Sequence, residues 1–448
     1  MPSRGFEDFY AIIPAGGTGS RLWPLSRGAK PKFLYDLMGS GRTLIQSTFD
    51  RLARLAGSER IVVSTGWRHV AAVEAQLPEL KESNIFAEPV PRDSTAAIAL
   101  ATAILARRHG EHIVVGSFAA DHVIRGDESF AEAVRQAVAA ARAGYVTTIG
   151  IAASRPSTAF GYIHQGRSLA AEIPDAPSAR LVERFVEKPD SATAQAYLST
   201  GEYRWNAGMF VMRADVLLDH LREYKPDMYD AISHIADAYM AVDSDADSDE
   251  AASEAEIAAA KHAATKAGNG EDGEHADVIG AIGGDSNNSG DGDSPADSDG
   301  GNDAGAGNEA TVDNEAIDEA MATYWPGIEK IAFDYAVAEP LSVAGGVAMV
   351  PGDFGWDDIG DFNSVAALLP STGSRNIKIL GDSDKVVSLD SAGDVVMPLT
   401  ERTIALLGVN DMVVADTPDA LLVAPRARSQ EVKDLVAYLE RVGYDDIL

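Results

Sequence analysis

The sequence feature that most constrains the fold is an alternation of short apolar runs with longer helix-like segments. Four runs have the length and apolar character of buried strands: Phe9–Pro14, Arg60–Ser64, His112–Ser117 and Val146–Ile151. Three segments with helical periodicity, each with a glycine within two residues of its end, lie between them: Thr43–Leu55, Ser94–Arg108 and Ser129–Ala143. This order predicts an α/β fold with a mainly parallel sheet and helices on both faces. Ligands of such sheets bind beyond the carboxyl ends of the strands.

An acidic segment at residues 243–314 interrupts this pattern. Gly, Ser, Asp and Ala dominate it, and it contains no Phe, Trp or Tyr. Between Ala241 and Ala320 there are 22 Asp and Glu against two Lys, so this region carries −20 of the formal net charge of −32. A segment of this composition buries too little apolar surface to offset the entropy of ordering. The sequence therefore predicts a disordered insertion.

The sequence predicts two domains, a large one at residues 1–370 that contains the insertion and a small one at 371–448. Short Val, Leu and Ile runs separated by Asp, Gly and Ser turns fill residues 375–424. A segment with helical periodicity follows at Ser429–Arg441. The second domain is therefore predicted to be a small β-rich tail that ends in a helix.

Composition excludes several classes of protein. The acidic balance argues against nucleic acid as a partner, because duplex binding needs a basic face. The absence of cysteine excludes disulfides and cysteine-ligated metals. No apolar run reaches the ~18 residues of a membrane span, and no apolar leader opens the chain. We therefore expect a cytoplasmic protein with no membrane partner.

A glycine-rich turn directly follows the first predicted strand. It comprises Ala15, Gly16, Gly17, Thr18, Gly19, Ser20 and Arg21, and the further cations Arg27, Lys30 and Lys32 follow. A dinucleotide-binding fingerprint would need a glycine where Leu22 stands, and a P-loop would need Gly-Lys-Ser/Thr, which is missing. A purely structural turn does not explain the cluster of cations. The stretch therefore predicts a loop whose backbone N–H groups bind phosphate.

The stretch GGTGSRLWPLSR followed by PK resembles the pyrophosphorylase motif of nucleotide-sugar nucleotidyltransferases, and most closely that of the mannose-1-phosphate guanylyltransferases. The resemblance runs over residues 10–240 and 320–425. It implies a Rossmann-like fold of the nucleotide-diphospho-sugar transferase type, with a β-helix-like tail. It also implies GTP and mannose 1-phosphate as substrates, Mg²⁺ as cofactor and a homodimer.

Two acidic motifs resemble the metal-binding elements of this family, and a third segment resembles its nucleotide element. Asp121 ends the run HIVVGSFAAD, and Asp358 lies in GWDDIG, with Asp357 as the alternative ligand. The resemblance implies that Asp121 and Asp358 hold Mg²⁺, which prefers carboxylate, phosphate and water oxygens. In the nucleotide element EPVPRDSTA, the implied nucleotide-binding residues are Glu88, Arg92 and Thr95. Glu88 is expected to accept from the N1–H and amino groups of guanine, whereas Asp93 or Ser94 is expected to cap the following helix.

Three further motifs resemble the sugar-binding elements of the family. They contain the implied sugar-binding residues Gly161, Tyr162, Glu187, Lys188 and Asn206. The resemblance implies catalytic roles for Arg21, Lys32 and Lys188 in phosphoryl transfer. Two alternatives stay open: a pyrophosphorylase for another hexose 1-phosphate or nucleotide, such as glucose 1-phosphate with UTP or dTTP, and a non-catalytic nucleotide-sugar sensor. A sensor is expected to lack Lys32, Asp121 or Asp358, and all three are present. The short stretch after Pro370 predicts an enzyme without a second, isomerase domain.

Overall fold

The computed structural model describes residues 5–243, 313–372 and 375–448, so the predicted disordered insertion lies almost entirely outside the described residues. The chain divides into two compact units, one of residues 1–237 and 320–448 and the other of residues 238–319. The described part of the smaller unit consists of the end of one helix and the beginning of another. Apart from residues 238–319, which belong to the first predicted domain, both predicted domains fall within the larger unit, and the boundary between them stays a prediction.

A nine-stranded sheet forms the centre of the larger unit. Its strands are β1 Phe9–Ala15, β2 Ile61–Gly66, β3 Ile85–Glu88, β4 Val114–Ser117, β5 Val146–Ala152, β6 Tyr162–Ser168, β7 Arg180–Val186, β8 Tyr203–Arg213 and β9 Val347–Gly352. They lie side by side in the order β3-β2-β1-β4-β8-β5-β9-β7-β6.

The sheet is mixed, whereas the sequence predicts a mainly parallel one. Strands β1 to β4 are parallel to their neighbours among themselves, and β5 is parallel to β9. Strand β8 lies between β4 and β5 and runs antiparallel to both, and β6 and β7 also pair antiparallel. The first four strands are joined by helical crossovers and must run parallel, whereas β6 and β7 are joined without a helix. The predicted α/β class is confirmed, with its parallel pairs confined to these two groups.

Helices cover both faces of the sheet, as the sequence predicts. The helices of the described residues are α1 Leu44–Ala56, α2 Val70–Gln76, α3 Asp93–His109, α4 Asp127–Arg142, α5 Ser191–Thr200, α6 Ala214–Tyr224, α7 at residues 226–243, α8 Asp313–Tyr324, α9 Glu339–Val343, α10 Phe362–Leu368 and α11 Val432–Arg441. Phe9, Ala11 and Ile13 of β1 share one core cluster with residues of α1 and α4. Ile12 points to the other face, is fully buried, and lies in the strand against which α3 packs. None of the described helices combines the length and the apolar character that a membrane span requires.

Of the helix caps that the sequence predicts, that of α1 is confirmed and that of α3 is not. Helix α1 begins with the predicted capping box, in which Thr43 accepts from the backbone N–H of Gln46 and Gln46 accepts from that of Thr43. The predicted cap of α3 by Asp93 or Ser94 is wrong, because Arg92 is the N-cap residue and makes no side-chain cap. The hydroxyl of Ser94 accepts instead from the backbone N–H of Phe333. Phe333 is distant in sequence, so local signals cannot predict this contact.

The tail consists of short strands stacked in parallel rungs. Its strands are β10 Ser371–Thr372, β11 Ile377–Ile379, β12 Val386–Leu389, β13 Val395–Pro398, β14 Ile404–Leu407, β15 Met412–Asp416 and β16 Leu421–Pro425. Strands β11, β13 and β15 pair in parallel, as do β12 and β14. The tail packs on the segment after the glycine-rich turn, where Leu22, Trp23 and Leu25 share a core cluster with Val395 and Val432.

Candidate active site

The glycine-rich turn begins where β1 ends, at Ala15, and its conformation requires glycine. Gly17 and Gly19 have φ angles of +87° and +64°, which side-chain-bearing residues rarely adopt. A Cβ atom at Gly19 would also lie 3.0 Å from the Ser26 hydroxyl oxygen and 3.1 Å from Cβ of Lys32. Gly16 and Gly17 are exposed and have open space beside them. The backbone of the turn is therefore accessible to a ligand.

Two cations lie directly against this turn. Lys32 is buried, and its Nζ lies 2.8 Å from Oδ2 of Asp121 while it donates to the backbone oxygens of Asp358 at 2.6 Å and Ile359 at 3.1 Å. Arg21 carries a buried Nε that has no hydrogen-bond partner in the protein. Because buried N–H donors are nearly always paired, the unpaired Nε indicates a position for an anionic ligand.

Backbone pairing brings Asp121 and Asp358 to the same place. The segment after β4 stays paired with β1, since Ala120 N–H donates to the Pro14 oxygen at 3.1 Å. Asp121 therefore follows directly beside the start of the glycine-rich turn. Val123 and Asp357 then exchange two backbone hydrogen bonds of 2.9 and 3.0 Å, which aligns the Asp121 segment with the Asp358 segment.

The electrostatics around Asp121 and Asp358 reflect two carboxylates close to one lysine, Lys32. Burial raises the pKa of Asp358 to about 6; the Lys32 charge opposes this rise, and the carboxylates of Asp357 and Asp121 add to it. Burial also favours the neutral form of Asp121, but the charges of Lys32 and His122 outweigh it and hold that pKa below its ordinary value. Burial lowers the pKa of His122 to about 4, so its ring is neutral at pH 7. Asp358 thus carries negative charge that the protein compensates incompletely.

The residues of this corner fit a divalent cation that binds through oxygen. Asp121 and Asp358 line one cavity of about 390 Å³ together with Thr18, Gly19 and Lys32. Within the described parts of the chain, no three potential metal-ligating side chains come together. Two carboxylates with space beside them for phosphate and water oxygens are the donor set that Mg²⁺ commonly takes. Asp357 lies less favourably, because its Oδ1 already accepts from Ile359 N–H at 2.8 Å.

The predicted sugar-binding residues form a second group, in which Glu187 is the central side chain. Its Oε1 lies 2.8 Å from Nζ of Lys188, whereas its Oε2 is buried without a hydrogen-bond partner. A Cβ atom at Gly161 would lie 2.3 Å from that Oε2, so only glycine allows the carboxylate to occupy this position. The unpaired oxygen is available to a hydroxyl donor. Tyr162 is buried in the core, and its hydroxyl accepts from Ser157 N–H at 2.8 Å.

Asn206 lies beside Glu187 in a network that includes an aspartate the sequence did not single out. Its Oδ1 accepts from the Thr148 hydroxyl at 2.8 Å, and its Nδ2 donates to Oδ1 of Asp334 at 2.6 Å. Burial, together with the charge of Glu187, raises the pKa of Asp334 to about 7, against the opposing effects of Lys188 and Asn206. These contacts fix the Asn206 amide and leave one of its N–H groups for a ligand. Asp334 begins a π-helical turn at Asp334–Ala338, a conformation that is frequent at functional sites.

The residues around the glycine-rich turn line one cavity, and a larger cavity adjoins it. Of the predicted sugar-binding residues, Lys188 lines the larger cavity, whereas Gly161, Tyr162, Glu187 and Asn206 are not among its lining residues. The larger cavity measures about 950 Å³, and it shares Arg21, Asp358 and Gly360 with the smaller one. Its lining also includes Lys188, Arg155 and Phe160 of the loop before β6, and Gln430 and Lys433 of the tail. The Phe160 ring lies 4.9 Å from the ring of Trp205 and 5.3 Å from that of Trp356. The loop before β6 and the tail were not predicted to contribute.

The predicted nucleotide residues at the end of β3 and the start of α3 have different surroundings. Glu88 is buried and accepts from the Ser64 hydroxyl at 2.9 Å, and burial raises its pKa. Arg92 donates to the Pro326 oxygen at 2.6 Å, and Thr95 donates to the Ile331 oxygen at 2.8 Å. None of these three residues, Glu88, Arg92 and Thr95, lines the two cavities, so their nucleotide-binding role stays a prediction.

The remaining cations of the first motif have structural contacts. Arg27 makes a bidentate ion pair with Asp419 of the tail and also donates to the Thr417 hydroxyl at 3.1 Å. The Lys30 Nζ lies 4.4 Å from the centre of the Tyr35 ring. Of the four basic residues of the first motif, Arg21 and Lys32 therefore line the cavities, while Arg27 joins the tail to the segment after the turn.

Comparison with known proteins gives concordant results over nearly the whole chain. The family model described as nucleotidyl transferase matches residues 10–372, and that described as MannoseP isomerase/GMP-like beta-helix domain matches residues 384–439. The chain is 33% identical over 438 residues to the xanthan biosynthesis protein XanB of Xanthomonas campestris pv. campestris (strain B100), covering 98% of this chain and 74% of that protein. It is 32% identical over 446 residues to the mannose-1-phosphate guanylyltransferase of Escherichia coli (strain K12), covering 97% and 74%.

A solved structure is similar over the same extent. The crystal structure described as mannose-1-phosphate geranyltransferase from Thermus thermophilus has a TM-score of 0.69 and 26% sequence identity. The similarity covers 97% of this chain and 99% of that one. All residues that line the two cavities lie within the ranges that the family models match.

Proposed function

The chain belongs to the nucleotidyl transferase family and is a nucleotide-sugar nucleotidyltransferase, and from this premise we propose that it transfers GMP from GTP to α-D-mannose 1-phosphate. The products are GDP-mannose and pyrophosphate. The names of the relatives from Escherichia coli and the Thermus structure support mannose 1-phosphate as the acceptor. The observation that carries the proposal is the pair of adjoining cavities that share Arg21 and Asp358. One has the features of a triphosphate site, and the other is lined by Lys188, which is paired with Glu187.

The proposed reaction is an in-line displacement at the α-phosphorus of GTP. A phosphate oxygen of the sugar phosphate forms the new P–O bond while the bond to the leaving pyrophosphate breaks. A sugar phosphate is already ionised at neutral pH, so the attack needs no general base. The work of the protein is positioning and stabilisation of charge on the phosphate oxygens. Arg21 and Lys32 stabilise the triphosphate and the leaving pyrophosphate, and Lys188 orients the attacking phosphate.

Asp121 and Asp358 are the proposed ligands of Mg²⁺. Enzymes of this family generally use a divalent metal. When bound, the cation neutralises charge on the phosphate oxygens of the nucleotide. Lys32 holds the two segments that carry these carboxylates together through its contacts with Asp121 and with the backbone of Asp358.

Recognition of the two substrates is assigned to carboxylate and amide groups. Glu187 Oε2 accepts from hexose hydroxyls, and Asn206 donates its remaining Nδ2–H to a neighbouring hydroxyl oxygen. The fixed orientation of the Asn206 amide and the unpaired state of Glu187 Oε2 support this role. Glu88 is proposed to accept from the N1–H and amino groups of guanine, a donor pair that adenine lacks.

The protein is further proposed to work as a cytoplasmic homodimer. One face of the β12–β14 pair exposes a row of apolar side chains, namely Val387, Leu389, Ala405 and Leu407. Leu389 and Leu407 are paired neighbours and are 59% and 71% exposed. A contiguous exposed apolar row supports contact with a second copy of the chain. Cell fractionation, with the protein expected in the cytosolic fraction, tests the location.

An assay of pyrophosphate release tests the reaction. Four nucleoside triphosphates combined with glucose, mannose and galactose 1-phosphates and Mg²⁺ should give the highest rate with GTP and mannose 1-phosphate. Arg21→Ala and Asp121→Ala are each expected to lower turnover by about 100-fold or more, since Arg21 would stabilise charge on the reacting phosphates and Asp121 would hold the cation that does the same. Lys30→Ala is the matched control and should stay within about twofold. Turnover of Arg21→Ala within a few-fold of the parent would contradict the assignment.

A further inference from the structure

The C-terminal helix α11 is packed against the turn that carries Arg21. Its Val432 is buried, and Val436 and Leu439 are partly buried, in the core cluster that contains Leu22 and Trp23. The helix contacts the short turn Ser20–Leu22 directly. Trp23 Nε1 also donates to the Ile447 oxygen at 2.8 Å, beyond the end of the helix. The position of α11 relative to Arg21 is therefore fixed by packing on both sides of the turn.

A buried polar junction fixes the beginning of the same helix at the wall of the larger cavity. Asp361 is 5% exposed and accepts from the Ser429 hydroxyl at 3.0 Å and from Gln430 Nε2 at 2.6 Å. Asn363 Nδ2 donates to the Ser429 hydroxyl oxygen at 2.7 Å and to the Arg426 backbone oxygen at 3.0 Å. The residues that precede α11 are thus held by hydrogen bonds to buried or partly buried side chains. The tail forms a defined part of the cavity wall.

The larger cavity gathers positive charge in an acidic chain. Four cations line it, namely Arg21, Arg155, Lys188 and Lys433, whereas the whole chain has a formal net charge of −32. Among the residues that the structure describes, no carboxylate lies within ion-pair distance of Arg21, Arg155 or Lys433. Asp357, Asp358 and Asp361 also line the cavity; Asp357 and Asp361 already accept hydrogen bonds from the protein, and Asp358 is the proposed Mg²⁺ ligand. Unpaired cations that face one cavity indicate a ligand with several negative charges.

We propose that Lys433, on the C-terminal helix, binds the β- and γ-phosphates of the nucleotide and the pyrophosphate that leaves. This inference rests on the proposed nucleotidyl transfer and adds a binding residue to it. Lys433 lies one residue after Val432, which packs in the cluster with Leu22, next to Arg21. Lys188, in contrast, is held by Glu187 at 2.8 Å on the sugar side. Lys433 therefore belongs with Arg21, at the end of the cavity where the glycine-rich turn would hold the phosphates.

Binding of pyrophosphate in the presence of Mg²⁺, measured by titration calorimetry, tests the inference without any turnover. Lys433→Gln is expected to weaken binding about tenfold, because it removes one charge-assisted contact to phosphate, whereas Lys433→Arg should stay within about threefold of the parent. Lys385→Gln is the matched control, since Lys385 also lies in the tail, is paired with Glu401 at 3.1 Å, and lines neither cavity. Unchanged thermal unfolding of Lys433→Gln excludes a loss of folding. Equal pyrophosphate binding by Lys433→Gln and Lys385→Gln would overturn the inference.

Initial-rate kinetics separate a failure of this inference from a failure of the proposed function. With GTP and mannose 1-phosphate, Lys433→Gln should raise KM for GTP about tenfold and leave KM for the sugar phosphate within about twofold. A rise in the KM of the sugar phosphate alone would overturn the placement of Lys433 on the nucleotide side. If the parent enzyme does not turn over this pair of substrates but binds pyrophosphate through Lys433, the proposed substrates fail and the role of Lys433 stands.

Discussion

At the scale of single residues, the proposed sugar-binding residues contact one partly buried aspartate. Asp334 accepts from Asn206 at 2.6 Å, and its charged form is opposed by burial and by Glu187. The charge of Lys188 partly compensates, yet the pKa of Asp334 stays at about 7. The folded protein therefore holds a proton on Asp334 over a pH range in which the unfolded chain has lost it. This difference makes the free energy of unfolding depend on pH.

Asp334→Asn should remove that dependence. The pKa of Asp334 is raised from 3.8 to about 7 on folding, so the folded state binds more protons between these values and the stability of the parent falls as pH rises through this window. Asparagine keeps the acceptor for Asn206 without the charge. At about 1.4 kcal/mol per pKa unit, the variant should gain on the order of 2–4 kcal/mol relative to the parent at pH 8 and about nothing at pH 4.

Urea unfolding of the ligand-free protein at pH 4 and pH 8 measures the effect. Asp230→Asn is the control, because Asp230 is exposed on α7. An Asp334→Asn variant whose stability relative to the parent is the same at both pH values would show that Asp334 does not titrate in this range.

At the scale of elements, helix α10 is joined to the tail through its N-cap residue. Asp361 is the N-cap of α10 and accepts from Ser364 N–H at 2.9 Å. The same carboxylate accepts from Ser429 and Gln430, which precede α11. The Asp361 side chain therefore caps α10 and also fixes the residues that precede α11.

Asp361→Ala should destabilise the protein by roughly 3 kcal/mol, since it removes a cap and leaves the buried Ser429 hydroxyl of the tail without its acceptor. Thr43→Ala is the matched control, because it also removes an N-cap but leaves the tail untouched, and should cost about 1 kcal/mol. Hydrogen exchange should accelerate at residues 426–436 in Asp361→Ala alone. Equal destabilisation by both variants, with exchange unchanged at these residues, would show that the junction contributes nothing.

The elements also show where sequence reasoning succeeds and where it stops. The strand, turn and helix boundaries near Ala15 and Thr43 follow from local signals, namely an apolar run, glycines and a capping box. The insertion of β8 between β4 and β5 does not, because periodicity carries no information on which strands become neighbours. The meeting of Asp121 with Asp358 was expected only through a family resemblance, since their pairing depends on contacts between distant segments.

Two residues of the site escaped prediction for different physical reasons. Asp334 lies in no motif, and its importance comes from burial and from contact with Asn206, neither of which a sequence displays. Lys433 occupies the polar face of an amphipathic helix, where a lysine normally faces solvent. Only the packing of α11 beside the turn at Ser20–Leu22 shows that this face borders a cavity.

At the scale of the whole molecule, the exposed apolar row on the tail predicts the oligomeric state. Light scattering should give a mass of about twice 47.2 kDa for the parent. Leu407→Glu should reduce this to the mass of one chain, because burying a carboxylate in an apolar contact is costly. It should leave monomer stability nearly unchanged, since Leu407 is 71% exposed.

Val343→Glu provides the control for this prediction, because Val343 is 88% exposed at the end of α9 and lies outside the tail. It should keep the mass of the dimer. A parent protein that already has the mass of one chain would contradict the homodimer.

The wall that the tail supplies to the larger cavity also governs when the site is complete during synthesis. Gln430 and Lys433, which line the same cavity as Arg21, are made about 400 residues after it. At roughly 5–20 residues per second, about 20–80 seconds separate the two ends of the cavity. A nascent chain can therefore fold much of the sheet while the cavity still lacks one wall. The wall of the larger cavity is complete only in a chain that has been translated through residue 433.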